Sequence, residues 1–331
     1  MRAVVLDGQG TAKVEELPDP EPGADGLVVA PVAVGICGTD LHLAHGDYPT
    51  GRFPVVPGHE FSGTVVKVGP EVKGFAPGDR VCVDPNVACG ACEQCRAGAT
   101  NLCPDLVPIG VGADGACAEL VRVPAKVVYR LPDGLDFATG ALVEPLACVL
   151  HAASRIRPIK DQRVLVYGAG SIGLLAVAYA RAQGASTVDV IEPSAVRRGA
   201  AVEFGADAVH APGERPARHD VDLAIEASGH PTAVSDALDR LAKRGTLLQM
   251  GVVSPESAIN LFPYDLFDRE LSLVGSQSLA TAFPDAVRAV LDLPRLSERM
   301  VTHTFGLKDY TAALEAARSD TARKVHILPQ Q

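Results

Sequence analysis

No stretch of this sequence is apolar for long enough to cross a bilayer. The most apolar runs, such as Ser171 to Ala180, fall well short of the roughly 20 residues that a spanning helix needs. No block of Lys or Arg extends beyond the pair Arg197-Arg198, and 30 basic residues against 40 acidic ones give a formal charge of −10. That balance lacks the clustered positive surface a phosphate backbone requires. Neither nucleic acid nor a membrane is therefore an expected partner. The opening residues, MRAVVLDGQG, reach an Asp by position 7 and hold no apolar core of signal-peptide length. A cytoplasmic location is expected. Internal repeats and low-complexity segments are missing as well.

What is present suits a soluble protein rich in strands and turns: 47% hydrophobic and 21% charged residues, with 32 Gly and 25 Pro. At 331 residues the chain exceeds what one hydrophobic core usually organises, so two domains are expected. From Met1 to about Arg130 the pattern is short β-branched runs, such as Leu27-Val28-Val29-Ala30 and Gly63-Thr64-Val65-Val66-Lys67-Val68, punctuated by Gly and Pro. Near Leu146 strands begin to alternate with helical segments, the signature of a parallel, doubly wound sheet. The expected strands there are 163–168, 187–192, 221–227, 246–251 and 271–275. The expected helices are 172–182, 194–204 and 231–241, and a further helix over 285–293 precedes a tail, Lys324 to Leu328, that rejoins the first domain.

The strand Val164-Leu165-Val166-Tyr167 runs into Gly168-Ala169-Gly170-Ser171-Ile172-Gly173 and then directly into an apolar helix. A dinucleotide needs this sequence of parts. The first glycine makes the tight turn, the second lets pyrophosphate approach the backbone, the third admits close helix packing, and the helix N-terminus supplies amide donors. Glu192 follows at the distance where a carboxylate accepts from the adenosine ribose hydroxyls. This favours NAD over NADP, because a 2′-phosphate would be repelled, although Arg197 and Arg198 lie close in sequence. Gly110-Val111-Gly112-Ala113-Asp114-Gly115 fits the same spacing but precedes a strand-like segment, and it reads as a turn. Glu226 and Ser228 end the strand at 221–227, where the ligand crevice of such a sheet lies, and Ser228 is expected beside the nicotinamide.

Eight cysteines are present, and Cys89, Cys92, Cys95 and Cys103 are spaced C-x2-C-x2-C-x7-C. Four thiolates at this spacing suit tetrahedral, structural zinc. A ferredoxin-like run is the alternative for the first three, but seven residues stand before the last Cys in place of three. A second set is scattered: Cys37, the pair His59-Glu60, and Glu144. Spacing does not connect them, and His59 alone reads equally well as a structural histidine. Their types suit a catalytic zinc, which takes about three protein ligands and keeps one position open.

With Cys37-Gly38-Thr39-Asp40-Leu41-His42, Gly58-His59-Glu60, the four-cysteine lobe, Val143-Glu144-Pro145-Leu146 and the glycine turn in view, the chain resembles the zinc-containing medium-chain alcohol dehydrogenases. The polyol (sorbitol-type) and threonine dehydrogenase branches are nearest. The resemblance covers nearly the whole chain and implies an α/β protein: a GroES-like β-rich catalytic domain over 1–147, completed by 290–331, with a doubly wound parallel Rossmann domain over 148–289. It implies catalytic-zinc ligation by Cys37 and His59, with Glu60 as ligand or neighbour. Glu144 stands where classical members have a third Cys. It further implies that Thr39 meets the substrate hydroxyl, that His42 ends a proton relay, and that the chain forms a dimer or tetramer. The substrate expected is a polyol, sugar alcohol or cyclitol, exchanged with its ketone; threonine or a simple secondary alcohol is the alternative, and a non-catalytic zinc and dinucleotide binder is the reading from another class. Tyr48 and Phe53 are candidates to line the substrate cleft or to pack in the core. Lys324 reads as a solvated tail lysine or a partner for pyrophosphate.

Overall fold

Short β-branched runs, broken by Gly and Pro, become the strands of the first part of the chain. The computed structural model describes residues 1–46, 51–214 and 219–331, so Tyr48 lies outside the described residues. Two units are distinguished: Met1–Ala147 with Ala280–Gln331, and Cys148–Leu279.

In the first unit, β1 (Arg2–Leu6) and β2 (Ala12–Glu16) form a hairpin, followed by β3 (Gly26–Ile36), α1 (Gly38–His45), β4 (Glu60–Val68) and β5 (Arg80–Val83). Next come β6 (Asn86–Val87), α2 (Glu93–Arg96) and β7 (Val107–Pro108), which carry the cysteine-rich lobe. Then follow β8 (Val121–Pro124), β9 (Val128–Arg130), α3 (Phe137–Ala141) and α4 (Val143–Ser154). Strand β3 is apolar over most of its length and nearly continuously buried, which makes it the spine of this sheet.

The second unit alternates strand and helix: β10 (Arg163–Tyr167), α5 (Ser171–Ala182), β11 (Thr187–Ile191), α6 (Ala195–Glu203), β12 (Ala208–His210), β13 (Val221–Glu226), α7 (Pro231–Arg240), β14 (Leu241–Gln249), α8 (Pro263–Arg269) and β15 (Ser272–Gly275). The strands pair in the parallel order β12-β11-β10-β13-β14-β15. Order reverses between β10 and β13, and in such sheets ligands bind beyond the strand C-termini at that reversal. Helix α5 is buried at Leu174, Leu175, Ala176 and Val177, as its all-round apolar sequence requires.

The chain then returns to the first unit through α9 (Phe283–Ala289), α10 (Leu296–Met300), β16 (Val301–Phe305), α11 (Tyr310–Arg318) and β17 (Lys324–Ile327). Strand β17 pairs antiparallel with β3 and parallel with β16, extending the first sheet to β16-β17-β3-β4-β5-β9 with β8 alongside β3. This is a GroES-like β-rich domain and a Rossmann-type parallel sheet.

Three details differ from the sequence reading. Strand β12 is only three residues long, too short to register as a periodic run. Strand β14 starts directly after α7 and crosses Lys243-Arg244-Gly245 with a register shift between Val221 and Leu223 on its neighbour, so its polar beginning reads as loop. The return to the first unit comes at Ala280 rather than at 290. The reason is Phe283, which is 1% exposed and stacks on Tyr129 with ring centroids 5.1 Å apart. Phe53, one of the two aromatic cleft candidates, packs against the core of the first unit. Truncating Phe283 to Ala should destabilise the protein by about 3–5 kcal/mol, read as a lower urea midpoint for the transition of the first unit; an unchanged midpoint would mean that 280–289 is not part of that core.

Candidate active site

The last residue before α1 is Cys37, and a reciprocal cap fixes it there. Its sulfur accepts from Thr39 N at 3.4 Å, while Asp40, three residues on, accepts from Cys37 N at 2.9 Å. Across the sheet, Gly35 of β3 faces Glu60 of β4 on one side and His326 of β17 on the other. His59 therefore enters beside Cys37. Gly58 holds φ at +97°, and a Cβ there would come within 2.8 Å of Cys117 Sγ and of Val34. Ligand-type atoms of Cys37, Asp40 and His59 lie within 4.8 Å of one another.

The surroundings are dense in buried charge. Asp40 is 0% exposed, Glu60 2%, His59 7% and Glu144 8%. Burial opposes a charged His59 imidazole, but Asp40 and Cys37 outweigh it and hold its pKa well above the ordinary value. Burial raises Asp40. Burial, with Glu60 beside it, pushes Glu144 up to about 7. Lys324, 2% exposed, is neither a solvated tail residue nor a partner for pyrophosphate: its ammonium pairs with Glu60 Oε2. Burial lowers the Lys324 pKa, yet Glu60 and Cys37 together raise it above the usual value. The space for this pair comes from Gly35, where a Cβ would meet Glu60 Oε2 at 2.1 Å.

Asp40 Oδ1 and His59 Nδ1 are 3.8 Å apart, and among the described residues each is buried without a hydrogen bond. Orphaned buried donors and acceptors beside a thiol fit a site built for a cation, and Cys, His and carboxylate are donors zinc accepts. Sequence reasoning missed Asp40 as a member of this corner, although the spacing from Cys37 to Asp40 is that of a capping box. It also misread Lys324, although a lysine opening the apolar strand Lys324-Val325-His326-Ile327 signals a buried partner. Thr39 is half-buried on α1 and His42 is exposed one turn on.

In the lobe, the sulfurs of Cys89, Cys92, Cys95 and Cys103 lie within 4.8 Å of one another. Cys92 caps α2 and accepts from Cys95 N at 3.4 Å, and Cys103 accepts from Cys89 N at 3.5 Å. The Ala91 and Cys92 amides, with the Cys103 thiol, hold the Cys89 thiol down to about 7. Amides aimed at sulfurs favour thiolates, and four thiolates fit one tetrahedral zinc.

In the second unit, the turn Gly168–Gly173 joins β10 to α5. Gly168 takes φ +90°, and a Cβ on Gly173 would sit 2.0 Å from the Gly168 carbonyl oxygen, so this glycine is required by the turn itself more than by the strand. Among the described residues nothing lies within 4 Å of a Cβ added at Gly170, and the backbone there is approachable. Ser171 and Ile172 begin α5. Glu192, 4% exposed, accepts from Ala169 N at 2.8 Å and from Ser194 N at 2.9 Å, tying the turn to the end of β11. The Arg197 amide donates to Ser194, and the Arg198 guanidinium donates to the carbonyls of Glu192 and Pro193. Ser228 is held by the fully buried Glu226, which accepts from its amide at 2.8 Å, from Gly229 N and from Gln249. Gly110–Gly115 folds as a turn closed by Gly110 N donating to Ala113 O.

Comparison with known proteins agrees on both units. Residues 23–133 match the family described as alcohol dehydrogenase GroES-like domain, and residues 171–293 the family described as zinc-binding dehydrogenase. The chain is 33% identical over 328 residues to D-altritol 5-dehydrogenase of Agrobacterium fabrum, covering 97% of each chain. It is 35% identical over 332 residues to L-threonine 3-dehydrogenase of Streptomyces avermitilis, covering 94% of each. A zinc-binding dehydrogenase of Sinorhizobium meliloti 1021, solved bound to NADP, superposes with a TM-score of 0.94 at 36% identity over 99% of both chains.

Two outcomes follow for the buried charges. Lys324→Met leaves Glu60 uncompensated and should cost about 3–5 kcal/mol, much of it recovered in the Glu60→Gln, Lys324→Met double variant; equal midpoints for parent and single variant in urea would refute the pair. In metal-free protein the raised Glu144 pKa adds stability that is complete below about 4.5 and is lost as pH rises through about 7. Thermal midpoints of the stripped protein should therefore fall from pH 5 to 8, less steeply in Glu144→Gln, and parallel curves would contradict the assignment.

Proposed function

This chain belongs to the zinc-binding alcohol dehydrogenase family, and we propose that it oxidises a secondary hydroxyl of a polyol, sugar alcohol or cyclitol with NAD as the hydride acceptor. The observation that carries this reading is the buried corner of Cys37, Asp40 and His59 with Glu60, Glu144 and Lys324 around it. Cys37 and His59 would hold a catalytic zinc. Glu144 is the carboxylate we assign as third protein ligand, directly or through water, because Glu60 is engaged by Lys324. Bound there, zinc acts as a Lewis acid that makes a coordinated hydroxyl acidic near neutral pH.

The chain's own residues then have separate tasks. The Thr39 hydroxyl accepts the substrate proton, and the exposed His42, one turn along α1, delivers it to solvent. Asp40 sits behind His59 and orients its ring. Gly168, Gly170, Ser171, Ile172 and Gly173 cradle the pyrophosphate, with α5 presenting its amide end. Ser228, fixed by Glu226, lies at the C-terminal end of β13 and is assigned to the nicotinamide side.

NAD is preferred to NADP in this reading because Glu192 is a buried carboxylate at the ribose position, and Arg198 is engaged by two backbone carbonyls instead of standing ready for a phosphate. Cys89, Cys92, Cys95 and Cys103 carry a structural zinc. We assign the protein to the cytoplasm and to a homo-oligomer, dimer or tetramer. The edge strand β15 supports self-association: none of its residues is buried, and the exposed Phe262, Tyr264 and Phe267 lie on the preceding helix and at its start. No described helix is long and apolar enough to cross a membrane.

The test is reduction of NAD and NADP over a panel of polyols, inositols, aminocyclitols, threonine and simple secondary alcohols. Turnover with a polyol-class substrate and NAD is expected, and Cys37→Ser should lose about a thousandfold or more of it, the several kcal/mol that a Lewis acid contributes. The L-threonine relative makes threonine the second arm of the panel. Full turnover in Cys37→Ser would refute the zinc assignment. Purified protein should carry two zinc ions per chain, and Cys103→Ser should carry one.

A further inference from the structure

Glu226 ends β13, the strand that pairs with β10 at the reversal of strand order, and it is fully buried. Its Oε1 accepts from Ser228 N at 2.8 Å, from the Ser228 hydroxyl and from Gly229 N at 3.0 Å, and its Oε2 accepts from Gln249 Nε2 at 2.7 Å. One carboxylate thus gathers two loops. Ser228 and Gly229 follow β13, while Gln249 ends β14 and also donates to Gly251 O at 2.7 Å. The main-chain carbonyl of Glu226 takes the amides of Met250 and Gly251, at 2.9 and 2.8 Å. Every donor that the side chain meets among the described residues is neutral. A charge buried in this way is costly unless the groups around it serve it fully, and an apolar side chain would close a strand end without that cost. Glutamine could not replace it evenly, because it has one accepting oxygen and would turn an NH2 group toward donors.

The glycine turn leans on the same assembly. Gly168 holds φ at +90°, and a Cβ there would lie 3.1 Å from Cα and Cβ of Ser228. Gly251 has no room for a side chain either, since a Cβ would run into Gly229 N and Glu226 Oε2. We infer that Glu226 is a positioning residue for the dinucleotide: its carboxylate clamps the loops after β13 and β14 to each other, with Ser228 held against Gly168, so that the cofactor meets a floor already in place. The action passes through Ser228 on one side and through Gln249 on the other, and a surface fixed in advance saves the ordering cost that binding otherwise carries. The inference rests on the reading of Gly168–Gly173 as the dinucleotide turn.

Glu226→Gln keeps the shape and removes the clamp, and Gln249→Met cuts the β14 arm alone. NADH binding to the holoprotein, followed by the fluorescence of the reduced ring, should weaken about tenfold in Glu226→Gln and by less in Gln249→Met, with the zinc content of the parent. The double variant should bind no more weakly than Glu226→Gln, because both changes act through one assembly. The rise in thermal midpoint on adding NADH should shrink in the same order. A lower midpoint of the cofactor-free variant with NADH bound at the parental Kd would mean that Glu226 serves the fold alone, and that overturns the inference; additive losses in the double variant do so too. If Glu226→Gln does not fold, Gln249→Met decides, and a parental Kd there overturns it. A parent that binds NADH beside variants that bind it equally well removes only the role of Glu226. A parent that binds neither NADH nor NADPH removes the dinucleotide reading and this inference with it.

Discussion

An excess of buried negative charge at one corner of the first sheet is the constraint around which that unit is arranged. Asp40, Glu60 and Glu144 are each less than a tenth exposed, Cys37 stands beside them, and the Lys324 ammonium is paired with Glu60. Carboxylates in such a setting are stable only if protonated, paired or ligated. Burial opposes the charged carboxylate at both Asp40 and Glu144, pushing Glu144 up to about 7. A dication would answer more completely, because it would neutralise thiolate and carboxylate together and take the place of a proton on His59, whose pKa Asp40 and Cys37 raise.

The sheet is what brings these groups to one place. Cys37 follows β3, His59 precedes β4 and Glu60 begins it, and Lys324 begins β17, three neighbouring strands contributed by distant parts of the sequence. The return of the chain from the second unit is thus part of the site: without β17 the ammonium opposite Glu60 would be missing. In the second unit the logic is the reverse. Glu192 accepts from Ala169 of the glycine turn and from Ser194 beyond β11, and Glu226 accepts from Ser228 and Gly229 beyond β13. Those two side chains fix the loops that follow β10, β11 and β13.

Much of this is legible in the sequence. The alternation of strand and helix after Leu146 and the turn Gly168–Gly173 are local patterns, and local patterns survive folding. The four-cysteine lobe is local too, closed within fifteen positions, and its sulfurs converge. The scattered set was different. Nothing in the spacing of Cys37, His59 and Glu144 says that they meet, because the register of β3 on β4 brings Cys37 to His59 while Glu144 comes from α4; only the resemblance to known dehydrogenases connected them. Lys324 was misread for the same reason, since its partner lies on β4 and no helix or strand period links the two. Asp40 was overlooked because its first role is local, capping α1, and the second, behind His59, is tertiary. The early return at Ala280 was hidden because α9 reads as a continuation of the alternating pattern, and only the stacking of Phe283 on Tyr129 assigns it to the first unit.

The central claim, that this corner is an acid cluster completed by a divalent cation, is most directly tested by counting protons. Zinc titrated calorimetrically into stripped protein near pH 6.5, in buffers of different ionisation enthalpy, reports the protons released per ion bound. The account predicts proton release with the catalytic ion, and about one proton fewer when Glu144→Gln replaces the parent. Zinc uptake there without proton release, or identical release in both proteins, would contradict it.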